Sequence, residues 1–145
     1  MKSWARCCFI LLSALLFCPA GLLRAQEKAP KKAPIQNTSP ASGEEMFKTY
    51  CAVCHGKDLK GGGPMAGSLK VKPPDLTTLA KRHDGKFPED YVTNVLRNGV
   101  KAPAHGSTEM PVWGPLFASV SGGDQSIVNM RISNLVRYLE SVQTK

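Results

Sequence analysis

Cys51, Cys54 and His55, in the stretch Cys-Ala-Val-Cys-His, form the tightest group of side chains in this sequence able to act together. Two thiols three positions apart have three uses. They cycle as a dithiol and disulfide, they make half of a zinc site, or each forms a thioether to a haem vinyl group while the next residue offers imidazole to the iron. Zinc needs two further ligands, and neither His83 nor His105 belongs to a second close pair. A thioredoxin-like redox site needs a strand before the pair and a helix after it. Here a helical pattern precedes the pair and glycines follow it. The motif therefore reads best as a covalent site for one haem c, with His55 on the iron.

The remaining cysteines support that reading. Cys7, Cys8 and Cys18 fall in an N-terminal segment with the pattern of a secretory signal, with Lys2 and Arg6 ahead of an apolar run from Cys7 to Phe17. Such a run, at ~1.5 Å per residue, is too short for a bilayer core of ~30 Å and suits a cleaved leader. Cleavage after Ala25 is the preferred reading, with Ala20 as the alternative; an uncleaved leader would leave a membrane tether. Residues 1–25 are thus expected to be a signal peptide and the protein exported to the periplasm, where covalent haem attachment of this kind takes place. The mature chain then keeps Cys51 and Cys54 alone, with no disulfide framework to build.

The net charge of +8 is concentrated outside the expected folded part. Residues 1–40 hold six basic and one acidic residue, while residues 41–145 hold thirteen and ten. That balance argues against nucleic acid as a partner. Lys57, Lys60, Lys70, Lys72, Lys81, Arg82 and Lys86 are either a clustered basic face or a plain solvated surface.

The elements that must position the motif follow from periodicity. Residues 26–41 are rich in Lys, Ala and Pro and read as an extended, flexible linker. A domain is expected over 42–145. Ser42 with Glu45 is a capping-box pattern, and Gly43, Phe47, Cys51 and Cys54 then recur along one helical face. Gly56 to Gly67 is too rich in glycine for regular helix. Leu76 to Arg82 reads as a short helix. Pro88, Glu89 and Asp90 open another, with Tyr91, Val92, Val95 and Leu96 as its buried face and Gly99 as its stop. Residues 99–115 read as a proline-punctuated loop. Asp124 to Gln143 is an amphipathic helix with Val128, Ile132, Leu135, Leu139 and Val142 on one stripe. The pattern predicts an all-α fold of three main helices plus short ones. About 105 residues bury only ~65% of their unfolded surface, and aliphatics are few between residues 55 and 90. A haem at the centre would supply the missing apolar core.

Residues 42–145 resemble the class I, monohaem cytochromes c. Gly43 and Phe47 ahead of the motif, and Leu135 and Tyr138 in the last helix, match positions where that family crosses its first and last helices. The resemblance implies a cytochrome c-like fold and an electron-transfer role without enzymatic activity. It also implies that Pro64, after Gly63, offers its carbonyl to His55 and so holds the ring.

For the second axial ligand the mature chain offers Met46, Met65, Met110, Met130, His83 and His105. Met110, followed by Pro111 in the loop before the last helix, resembles the family's axial methionine, and His105 is its rival. Trp113 then follows near the haem, as ring packing or as a donor to a propionate, and Asp75, Leu76 and Thr77 are candidate pocket residues. With His55 and Met110 both on the iron, the expected role is a monomeric carrier between a redox donor and acceptor. An open-iron gas sensor or peroxidase-like protein is the alternative, with His105 and Glu109 as its candidate acid–base pair; a subunit of a dehydrogenase or oxidase complex is another.

Overall fold

The computed structural model describes residues 35–99 and 109–144, all within the unit Ala33–Lys145. The expected signal at 1–25, the first part of the expected linker and His105 lie outside the described residues. Among the described residues there are helices and turns and no strand, as an all-α fold requires. None of these helices is long and apolar enough to cross a membrane.

Ser42 starts the first helix by accepting the backbone N–H of Glu45 at 3.1 Å, which satisfies one of the amides that a helix start leaves unpaired. The reciprocal half of the capping box is redirected: the Glu45 carboxylate accepts the N–H of Ser39 at 3.3 Å. α1 (Gly43–Met46) passes directly into a π-helical segment (Phe47–Cys51) and then into α2 (Ala52–His55). The amide of Ala52 reaches back to the carbonyl of Phe47, five residues away, so one wide turn immediately precedes the motif.

Leu76–Arg82, expected to be one short helix, forms two 3-10 turns at Leu76–Thr78 and Lys81–His83, ending at Asp84 with φ +52°. α3 (Glu89–Asn98) begins after Pro88 and stops at Gly99, as expected. Val92 and Leu96 are buried on it, whereas Tyr91 is exposed. α4 (Trp113–Val120) was not anticipated, because Pro111 and Pro115 read as loop residues. Pro115 stands in the first turn, where the amide it lacks would have no intrahelical partner. α5 (Gln125–Ser141) is capped by Asp124, which accepts from Ser126 N–H at 2.8 Å and Ile127 N–H at 3.3 Å.

α1 and α5 cross at the residues that the resemblance pointed to. A Cβ on Gly43 would collide with the carbonyl oxygen of Asn134 and sit 2.7 Å from Cβ of Tyr138. One turn on, Phe47 is 1% exposed, with its ring 5.6 Å from that of Tyr138. Leu135 is buried at the same crossing.

Residues 35–41 join this core, so packing extends beyond Ser42 into the stretch read as linker. Thr38 is buried between two side chains, with Oγ1 2.9 Å from the Tyr50 hydroxyl and accepting from the Arg131 guanidinium at 3.0 Å. Arg131 is 2% exposed and also donates to Asn37 Oδ1 and Ser121 Oγ, with its guanidinium 6.0 Å from the Phe117 ring centre. A buried guanidinium is tolerated only when its N–H groups find acceptors, and here neutral oxygens supply them. Asn134 completes the clamp by donating to the Pro40 carbonyl at 2.9 Å.

Phe47→Ala should lower unfolding free energy by about 3–5 kcal/mol, since it deletes a ring with no solvent access. Gly43→Ala should also destabilise, through the clash with α5. Denaturant titration at unchanged m-value tests both, and a loss below about 1 kcal/mol for Phe47→Ala would contradict the packing described.

Candidate cofactor site

α2 is only four residues long, too short to stand by itself. Its last four carbonyls are nonetheless all paired. Gly56 N–H donates to Ala52 at 2.9 Å, Met65 N–H to Val53 at 2.9 Å, Gly63 N–H to Cys54 at 3.1 Å and Gly61 N–H to His55 at 2.8 Å. The glycine-rich segment is therefore the C-terminal cap of the motif helix. Glycine is required where it folds back: a Cβ on Gly63 would lie 2.5 Å from the Val53 carbonyl oxygen and 2.6 Å from that of Ala52.

A cavity of about 300 Å³ opens beside this helix. Cys51, Cys54, His55, Met110 and Trp113 all line it. The structure thus brings together five of the six residues expected at the site. Pro64 does not line it and is exposed. The proline carbonyl that acts on the His55 ring is that of Pro74, which favours the protonated imidazole. The signal for it in the sequence was the Pro73-Pro74 pair, which read only as an extended bend.

Much of the remaining wall is apolar, with Lys72, Arg82, His83 and Glu109 also lining it. Phe47 and Tyr50 come from the π-helical segment, Leu96 from α3, and Leu135 and Leu139 from α5. Trp113 is buried with its ring 5.5 Å from Tyr50 and 5.6 Å from Phe117, a packing role. Of the other candidates, Leu76 lines the cavity while Asp75 and Thr77 do not. Asp75 shapes the wall instead. Its carboxylate accepts from Thr77 N–H at 2.8 Å and from the Thr77 hydroxyl at 2.6 Å, starting the turn that carries Leu76. Gln143 ties that turn to α5 by donating to the Leu76 carbonyl at 2.8 Å and accepting from Ala80 N–H at 2.9 Å.

Among the described residues, Met110 is the methionine that reaches the cavity. Met46 is enclosed in the core, and Met65 and Met130 are exposed. His83 also reaches the cavity, exposed, with its ring 6.0 Å from Tyr91.

The electrostatics favour a ligand imidazole over a thiol redox pair. His55 is 9% exposed, its Nδ1 is buried without a hydrogen-bond partner, and burial holds its pKa below the ordinary histidine value against the pull of the Pro74 carbonyl. A neutral imidazole is the metal-binding form. Burial, with Cys54 adding to it, pushes the Cys51 thiol up to about 12. A thiol so protonated is a poor exchanger of disulfides. Among the described residues, no cluster of three His, Cys, Asp or Glu side chains is placed to hold a metal ion. The residues present fit a haem: two thiols and an imidazole on the wall of an apolar cavity, with a thioether sulfur on the same cavity.

Comparison with known proteins agrees. A family model described as cytochrome C oxidase, cbb3-type, subunit III matches residues 38–139. The chain is 27% identical over 86 residues to cytochrome c-551 of Bacillus subtilis (strain 168), covering 59% of this chain and 65% of that protein, just under two thirds of its length. It is 58% identical over 24 residues to cytochrome c-550 of Virgibacillus halodenitrificans, covering 17% of this chain and 69% of that one. No solved structure matches.

Hydrogen bonds from Thr77 hold the Asp75 carboxyl below the usual carboxylate range. Asp75→Ala should cost about 1 kcal/mol at pH 7, the worth of a helix cap. Because the folded pKa is depressed, the contribution is full above the unfolded value and fades as pH falls through the folded one. Thermal melts of both proteins should therefore converge toward acid; a gap independent of pH would show that the carboxylate charge is not involved.

Proposed function

This chain belongs to the cytochrome c family matched over residues 38–139, and from that premise we propose that it is an exported single-electron carrier holding one covalent haem. Cys51 and Cys54 hold the haem through thioethers, and His55 and Met110 bind the iron. The observation that carries the proposal is that these four side chains line one apolar cavity.

A haem bound there supplies a ferrous–ferric couple. The chain's own residues set the conditions for it. The π-helical segment and α2 fix both thiols and the imidazole on one short frame. The carbonyl of Pro74 pulls the His55 imidazole toward protonation, and a hydrogen bond from the ring to it would orient a ligand histidine and raise its basicity. A thioether ligand favours the reduced iron and raises the potential relative to a second histidine. Phe47, Leu96, Leu135 and Leu139 keep water from the site. With His55 and Met110 both as its ligands, the iron would have no position left for a substrate, as a carrier requires and a sensor or peroxidase-like protein does not.

The partners are a redox donor and acceptor that dock transiently. Lys72 and Arg82 line the cavity and are exposed, and exposed Val71 and Tyr91 add apolar surface to the same lining. Such a rim suits an acidic partner, with association that slows as salt rises. The Lys2–Ala25 leader pattern supports export to the periplasm.

Three measurements test the proposal on purified protein. Haem-dependent peroxidase staining after denaturing electrophoresis should persist in the native chain and vanish when both Cys51 and Cys54 are replaced by Ser. The weak red-end absorption band of the ferric protein should be lost in Met110→Ala and kept in His105→Ala and His83→Ala. Rapid, full binding of carbon monoxide to the reduced native protein would overturn the carrier reading in favour of an open iron.

A further inference from the structure

Met110 stands on a short segment that must hold a flexible, weakly binding side chain in the cavity. On its C-terminal side the anchor is clear: Val112 leads into α4, and Trp113 is buried against Tyr50 and Phe117. On its N-terminal side the neighbour is Glu109. Its carboxylate Oε2 accepts the backbone N–H of Lys70 at 3.0 Å, across 39 residues of sequence. Lys70 lies between Leu69 and Val71, which both line the cavity, on the strip that continues to Pro73 and Pro74 beside His55. This hydrogen bond therefore ties the wall next to His55 to the segment that carries Met110.

We infer that Glu109 is a positioning residue: by holding the Lys70 amide it keeps the Met110 segment seated, and so sets how readily Met110 leaves the iron. The inference rests on Met110 as the axial ligand. It acts through a segment boundary, not through contact with the iron, so its signature is ligand release and not haem content.

The test uses ferric holo-protein titrated with imidazole, read as loss of the red-end band. Glu109→Ala should bind imidazole about tenfold more tightly, the equilibrium worth of one such hydrogen bond. Glu109→Gln should stay near the native value, because its amide oxygen can accept the same N–H. Lys70→Pro removes the donor at a position whose predecessor is already extended, Leu69 having φ −89° and ψ 144°, as a residue before proline must be. It should match Glu109→Ala, and combining the two should add nothing further.

Unchanged imidazole affinity in Glu109→Ala, with the band present in the native protein, would overturn the positioning role and leave Met110 ligation standing. Glu109→Gln behaving like Glu109→Ala would assign the effect to charge and also overturn it. Absence of the band from the native protein would instead remove the Met110 reading on which the inference rests.

Discussion

The site depends on how closely two helices can approach. At Gly43 the first helix comes so near to α5 that no side chain fits between it and the Asn134 carbonyl. That contact puts Phe47 against Tyr138 one turn later, and the thiols and imidazole follow on the same continuous helix within a dozen residues. α5 also lends Leu135 and Leu139 to the cavity wall. The helix that holds the reactive groups and the helix that shields them are thus registered at one point. A shift there would move the cysteine pair and the apolar wall together.

Polar groups inside this frame are arranged by two different strategies. At Arg131 the charge is kept and surrounded by oxygens from Thr38, Asn37 and Ser121, at the boundary where the N-terminal stretch meets the core. At the cavity, the environment favours neutral forms: His55 toward imidazole and Cys51 toward thiol. The first strategy fastens the chain. The second leaves groups suited to covalent and metal bonding, and the unpartnered Nδ1 of His55 marks where the protein's own hydrogen bonding is incomplete.

Much of this was legible in the sequence because it is local. Cys51, Cys54 and His55 fall within five consecutive positions, and the α3 and α5 stripes and the cap at Ser42 are read within a turn or two. Features settled by distant partners were less visible. Composition read residues 35–41 as tether, yet Thr38 is buried because Tyr50 and Arg131 need a hydroxyl there. α4 was masked by Pro115, whose place in a first turn cannot be told from a loop without knowing where the helix starts. The resemblance implied Pro64 beside His55, but the carbonyl that pulls on the ring is that of Pro74, ten residues further along a loop that sequence distance does not describe. The π-helical turn left no mark in the hydrophobic pattern at all.

The glycine-rich segment that caps α2 has a consequence for motion. An irregular loop of this composition would ordinarily exchange its amide hydrogens with water almost freely. Here the amides of Gly56, Gly61, Gly63 and Met65 are each held by a carbonyl of the motif helix. Their exchange should therefore be slower than the glycine-rich composition alone would suggest, and the capped motif helix and its loop should share that protection.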